Sequence, residues 1–376
     1  MSKSSCSSDT EDKPVFVHCI VSCEGANGKN EPNKDMNQFV VIEDSEKEPT
    51  ISETFGSLPG EERRHTTCAV VGSSLYVFGG IDVERSRYSI NDVLLSSLYS
   101  IDTRGLCPSW TECPPSKYAR SEACAAVLDN KIYVMGGFYF DGPWGEVYNP
   151  NLKEWLPLKS PRDTDAFDVV HAWVIPDERG VEQLFVYLCR FDDLFFYDSE
   201  NGNWIIYDDN FGYWDGHSAF TDGIIYFWEE ERNHVRAYDL KNLEWYYDPV
   251  QGLEDLERLG DEDEGVFPPY EYHEDIPHCY LLAVGKGRLC LLWGEFRLAS
   301  GGLLMHYTKF SIYEFINAKL DRSLGAHDIC HKVFRIDGYL LQNCLPLETA
   351  RFATEGEEEY VDCEDISLEE FSRRGA

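Results

Sequence analysis

The chain has 376 residues, with 33 Lys and Arg against 68 Asp and Glu, a formal charge of −35 at pH 7. A field of that sign repels a phosphate backbone and excludes general nucleic-acid binding. Aromatic residues are 14% of the chain, which favours pleated surfaces over helices, and no apolar run is long enough to cross a bilayer as a helix.

Residues 1–13 are Ser-rich and acidic, with no apolar stretch behind a basic start. They predict a disordered N-terminus rather than a secretion signal, and a protein of the cytoplasm or nucleus. Short strand-like runs follow at 15–21, 39–42 and 50–55. Next comes Thr67-Cys-Ala-Val-Val-Gly-Ser-Ser-Leu-Tyr-Val-Phe-Gly-Gly80, which aligns without gaps on Cys124-Ala-Ala-Val-Leu-Asp-Asn-Lys-Ile-Tyr-Val-Met-Gly-Gly137. In both, two apolar strands flank a tight turn at Gly72-Ser73 or Asp129-Asn130. The second strand ends on a Gly doublet, suited to a sharp bend or a close backbone approach.

Downstream of these runs lies a hairpin with an aromatic on each arm. Three copies carry a Trp seven residues after a Tyr: Tyr148 and Trp155, Tyr197 and Trp204, Tyr238 and Trp245. Tyr99 and Trp110 are read as a fourth copy with a longer turn. The steps between Trp110, Trp155, Trp204 and Trp245 are 45, 49 and 41 residues, the length of a four-stranded blade. Aromatics that recur in every unit predict packing, since a binding platform needs only one site.

The combination of an apolar run into Gly-Gly, a variable loop, then Tyr, six residues and Trp resembles the kelch repeat. The more degenerate units are similar to those of plant F-box/kelch-repeat proteins. Five units begin near Arg64, Arg120, Asp165, Gly216 and Pro277, the fifth without its Tyr/Trp pair. The three runs at the start and one at 339–345 make up a sixth. The resemblance therefore implies an all-β, six-bladed kelch-type β-propeller over residues 14–350, with a closing blade shared between N- and C-terminal strands. Acidic stretches at 254–275, within the propeller, and at 351–376, a disordered tail, are read as solvated. No helical periodicity in the first sixty residues suggests an F-box.

The thirteen cysteines are scattered without zinc-ligand spacing, which predicts a reducing compartment. No nucleophile and base stand in a known pattern, so neither catalytic residue nor cofactor is expected. The resemblance implies a monomer that binds another protein through the loops after the Gly doublets and the loops entering each blade. Those loops hold Arg64, His65, Arg85, Arg87, Arg120, Phe138, Phe140, Trp144, Trp214 and His217. The arginines are expected to form a cationic patch for an acidic or phosphorylated segment, which guanidinium can grip bidentately. Without an F-box, such a module would meet a ubiquitin ligase through a separate adaptor. The alternative is a metal-assisted lyase. Glu271, His273, Asp275 and His278 come near the Glu-x3-Asp-x3-His iron motif of kelch-type specifier proteins, with the second gap one residue short.

Overall fold

Two-residue turns convert the repeated apolar runs into antiparallel hairpins. Asp129 and Asn130 both have left-handed backbone (φ 52° and 56°), the pairing that matches strand twist in a type I′ turn. The computed structural model describes residues 13–23, 34–44, 49–55, 58–59, 63–82, 93–104, 109–138, 142–162, 170–199, 201–212, 217–229, 232, 234–253, 279–297, 302–336 and 340–346.

The strands run in chain order through six four-stranded sheets. First come β1 (Val15–Cys23), β2 (Lys34–Asp44) and β3 (Pro49–Phe55). Blade one holds β5 (Thr67–Val71), β6 (Ser74–Phe78), β8 (Leu98–Asp102) and β9 (Thr111–Cys113), beside a short ladder of β4 (Arg63–Arg64) with β7 (Ile81–Asp82). Blade two is β10 (Cys124–Leu128), β11 (Lys131–Met135), β12 (Gly145–Asn149) and β13 (Glu154–Leu158). Blade three is β14 (Val170–Pro176), β15 (Glu182–Leu188), β16 (Asp193–Asp198) and β17 (Asn203–Asp208). Blade four is β18 (Ser218–Thr221), β19 (Ile224–Glu229), β20 (His234–Asp239) and β21 (Glu244–Trp245). Blade five is β22 (Cys279–Gly285), β23 (Arg288–Arg297), β24 (Gly302–Ile316) and β25 (Arg322–Ile336).

The last strand, β26 (Leu340–Pro346), returns to the start of the chain. It pairs antiparallel with β1, Val15 facing Pro346 and Phe16 facing Leu345, and completes the sheet β26-β1-β2-β3. The innermost strands β5, β10, β14, β18, β22 and β26 pack each against the next, and β26 closes on β5. The ring is a six-bladed propeller whose closing blade is shared between the two ends, as the sequence predicts. Its core lies between blades. Ala69, Tyr76 and Phe78 of blade one, for instance, bury against Ile132, Val134, Tyr148 and Trp155 of blade two.

The Tyr/Trp pairs are cross-strand neighbours. Tyr148 faces Trp155, Tyr197 faces Trp204 and Tyr238 faces Trp245, with ring centroids 4.9, 4.9 and 5.3 Å apart. Each indole N–H also donates to a carbonyl just past the outermost strand of the preceding blade. Trp155 reaches Pro114 at 2.9 Å, Trp204 reaches Lys159 at 2.8 Å and Trp245 reaches Phe211 at 2.7 Å. The repeat thus supplies an apolar filler and an inter-blade tie in one side chain.

Blade one departs from the sequence reading. Tyr99 faces Glu112, and it is Ile101, opposite Leu75, that takes the place Tyr148 holds opposite Ile132. Tyr99 lies two residues earlier and is not the repeat's aromatic. In blade five, β24 and β25 are each 15 residues long, and their hairpin runs beyond β23, whose first residue faces Ser311.

Candidate recognition face

Among the described residues, those that follow a second strand meet those that enter a blade at one end of the propeller: Gly80 N–H donates to the Arg120 carbonyl, Phe138 pairs with Ser121 and Trp228 N–H donates to the His217 carbonyl. The Gly doublets let them meet. A Cβ on Gly137 (φ 79°) would lie 2.4 Å from the Ser121 carbonyl oxygen, where only glycine fits. Blade three has no doublet because its second strand turns within Cys189–Asp192. There Phe191 N–H returns to Leu188 at 3.1 Å and Asp192 (φ 56°) supplies the left-handed residue.

Arginines from the entering loops reach the third strand of their blades. Arg63, 2% exposed, stacks over Tyr99 at 5.1 Å and donates to Ser97 Oγ at 2.8 Å. Arg120, also 2% exposed, donates to the carbonyls of Gly136 (2.9 Å), Trp144 (3.0 Å) and Pro143 (3.2 Å) and pairs with Glu146 at 3.6 Å. Arg162 lies over Phe195 at 5.8 Å and binds Asp193 at 2.7 Å. Tyr99, Glu146 and Phe195 occupy one repeat position, two residues before the third-strand residue that faces Leu75, Ile132 or Leu184. The contact recurs in three blades. By the rule that assigned the aromatics to packing, it is structural.

Two expected recognition residues, Arg120 and Trp144, therefore belong to the interior, and a third, His217, is half-buried. Arg120 holds blade two together instead of presenting charge. Burial pushes the Glu146 carboxyl above the usual range, against the opposing pull of Arg120. Trp144, 4% exposed, packs edge-on against Trp204 at 5.9 Å. His217 lies with its ring 4.3 Å from Tyr280, and burial, reinforced by His171, takes its imidazole down to about 3, so it stays neutral. Arg64, His65 and Phe138 are half-buried at the loop end. His65 Nδ1 lies 2.7 Å from Glu122 Oε1, and Phe138 exchanges backbone bonds with Ser121. Arg85, Arg87, Phe140 and Trp214 lie outside the described residues, as do Glu271, His273, Asp275 and His278. Among the described residues no three His, Cys, Asp or Glu converge as metal ligands.

The same end carries side chains that the sequence reading passed over. Arg190 is exposed beside Phe191, and Arg232, 65% exposed, stands 3.8 Å from Glu229, which also binds His234 at 2.5 Å. Blade five stacks Trp293 on His306 (4.7 Å, 9°) and sets His331 against both, with Thr308 Oγ1 2.7 Å from His331 Nδ1. Burial and then the neighbouring His306 lower His331 to about 4. These residues are far apart in sequence and share no motif spacing, so only the strand register brings them together.

This ring of blades, doublets and aromatic pairs defines a kelch-type propeller. A family model described as the FKB95 kelch-repeats domain matches residues 29–297, and the chain belongs to that family. Two F-box/kelch-repeat proteins of Arabidopsis thaliana are similar, one 29% identical over 237 residues (60% of this chain, 52% of the relative) and one 28% identical over 191 (50% and 46%). Kelch-like protein 33 of Homo sapiens is 36% identical over 104 residues, 27% of this chain and 18% of that protein. The chain spans about half the length of the Arabidopsis relatives it matches.

Proposed function

We propose that the chain is a protein-recognition module that grips a partner with the loop end of its blades. The carrying observation is what remains there once the repeat is accounted for. Glycine doublets, tryptophan ties and arginine contacts are absorbed by packing, and the loop side chains that differ from blade to blade are left to contact a partner. Kelch membership and the F-box/kelch names of the relatives support an interaction role. A place as the substrate-recognition component of a ubiquitin ligase, joined through a separate adaptor, is the finer form of this reading. An acidic or phosphorylated ligand would be held by Arg64, Arg85 and Arg87, without Arg120.

The test uses the full chain and an Arg190→Glu/Arg232→Glu variant, immobilised and exposed to one cell extract. Proteins retained by the parent and lost by an equally stable variant are the partners expected. Identical retained sets would overturn the loop end as the recognition face, and the absence of any ubiquitin-ligase subunit would remove the finer form.

A further inference from the structure

At the opposite end of the blades, the turns joining third and fourth strands repeat one left-handed position: Lys153 (φ 55°), Gly202 (66°), Leu243 (55°) and Leu320 (69°). Such backbone suits glycine or asparagine and strains a leucine. Yet the neighbouring blades four and five both place a leucine there, and these are 45% and 84% exposed. Beside them Tyr247 is 76% and Ile316 60% exposed.

The two turns form one surface. Arg322 of β25 reaches Asp239 at 2.8 Å and the Tyr246 hydroxyl at 2.9 Å, and also binds Glu314. Asn317 Nδ2 donates to Asp248 at 3.0 Å, while Lys319 Nζ lies 5.4 Å from the Tyr247 ring centre. The hairpin tip is itself fixed, because Asn317 Oδ1 accepts the N–H groups of Lys319 (2.9 Å) and Asp321 (3.0 Å). Leu320 is thus held out to solvent on a braced turn. An exposed leucine gains little from burial and still carries the strain of the left-handed backbone, so the stability of the free chain does not explain it; a contact made with another molecule does.

Charge identifies the occupant. Across 239–248 and 314–322, Asp239, Glu244, Asp248, Glu314 and Asp321 outnumber Lys241, Lys319 and Arg322, and Arg322 is already bound to two of those carboxylates. In a chain of charge −35 a second copy is repelled and a basic segment attracted. We propose that the corner made by Leu243, Tyr247, Ile316 and Leu320 docks a partner-protein segment that is apolar on one side and basic on the other. Because it lies at the far end of the blades from the recognition loops, the propeller can hold two proteins at once.

The probe is a labelled amphipathic Leu/Lys peptide of about fourteen residues, with a Leu/Glu peptide of the same pattern as control. Both are titrated by fluorescence anisotropy against the full chain and a Leu243→Gly/Leu320→Gly variant. Glycine fits the left-handed turns, so the variant is expected to melt no lower than the parent. The Leu/Lys peptide should bind the parent, and roughly tenfold or more weakly the variant and Tyr247→Ser, while the Leu/Glu peptide should not bind. Equal binding to parent and variant, binding of the Leu/Glu peptide, or no binding of either would overturn the proposal. So would a dimer of the parent that the variant abolishes, which would give the patch to a second copy.

Discussion

Replacing Arg120 tests whether a loop arginine can be a core residue. Its guanidinium donates to three carbonyls and lies 3.6 Å from Glu146, with both side chains almost wholly out of solvent. Arg120→Met keeps the apolar stem but leaves the Glu146 charge without its cation. Removing one partner of a buried pair costs about 3–5 kcal/mol. The shift per kcal/mol shrinks as a domain grows, so in a propeller of this size that lowers Tm by about 4–7 °C. Arg120→Met/Glu146→Leu should recover over half of the loss, because the buried charge goes with its partner, whereas Arg120→Glu should prevent folding. Urea melts followed by circular dichroism measure each. An Arg120→Met protein within about 1 kcal/mol of the parent would show that Arg120 is a surface charge after all.

Three further outcomes follow from the fold. Trp155→Ala should cost about 3–5 kcal/mol and Trp204→Ala less, since Trp155 is 6% exposed and Trp204 only half-buried; equal losses in urea melts would refute the ranking. His217 and His331, held down to about 3 and about 4, stay neutral when folded but take up protons near 6.5 when unfolded. Stability should therefore fall as pH drops below 6.5, by about 1.4 kcal/mol per pH unit for each. His217→Phe should remove about one proton from the uptake on unfolding at pH 5, and an unchanged slope would count against burial as the cause. Ending the chain before β26 should leave β1 and the ring unpaired and give an insoluble or protease-sensitive protein, whereas ending it at residue 350 should leave the melt unchanged.

Much of the propeller is legible in local chemistry. Turn residues between alternating apolar runs fix hairpins over a few positions, and the Tyr/Trp spacing marks the outer hairpin wherever both aromatics are kept. The shared blade is legible by subtraction, because three strands at one end and one at the other fit no complete unit. Blade one misleads because Tyr99 and Ile101 are two residues apart and share a sheet face, so only the register tells which faces the second strand. Arg120 misleads for a different reason. Its acceptors lie 16 to 24 residues downstream, and a loop arginine reads as solvated until those carbonyls are brought around it. The turn leucines are visible in the sequence, but their left-handed backbone is not.

The antiparallel pairing of β1 with β26 also sets a schedule for synthesis. Residues 15–55 leave the ribosome long before β26, yet their sheet lacks its innermost strand until residue 346 has emerged. At ordinary elongation rates the interval is on the order of tens of seconds. Throughout it the nascent chain exposes an unpaired β1 edge bearing Val15, Phe16 and Val17, side chains that are fully buried once the ring shuts. A growing chain with such an edge is open to wrong pairings, and the arrival of β26 is what ends that exposure.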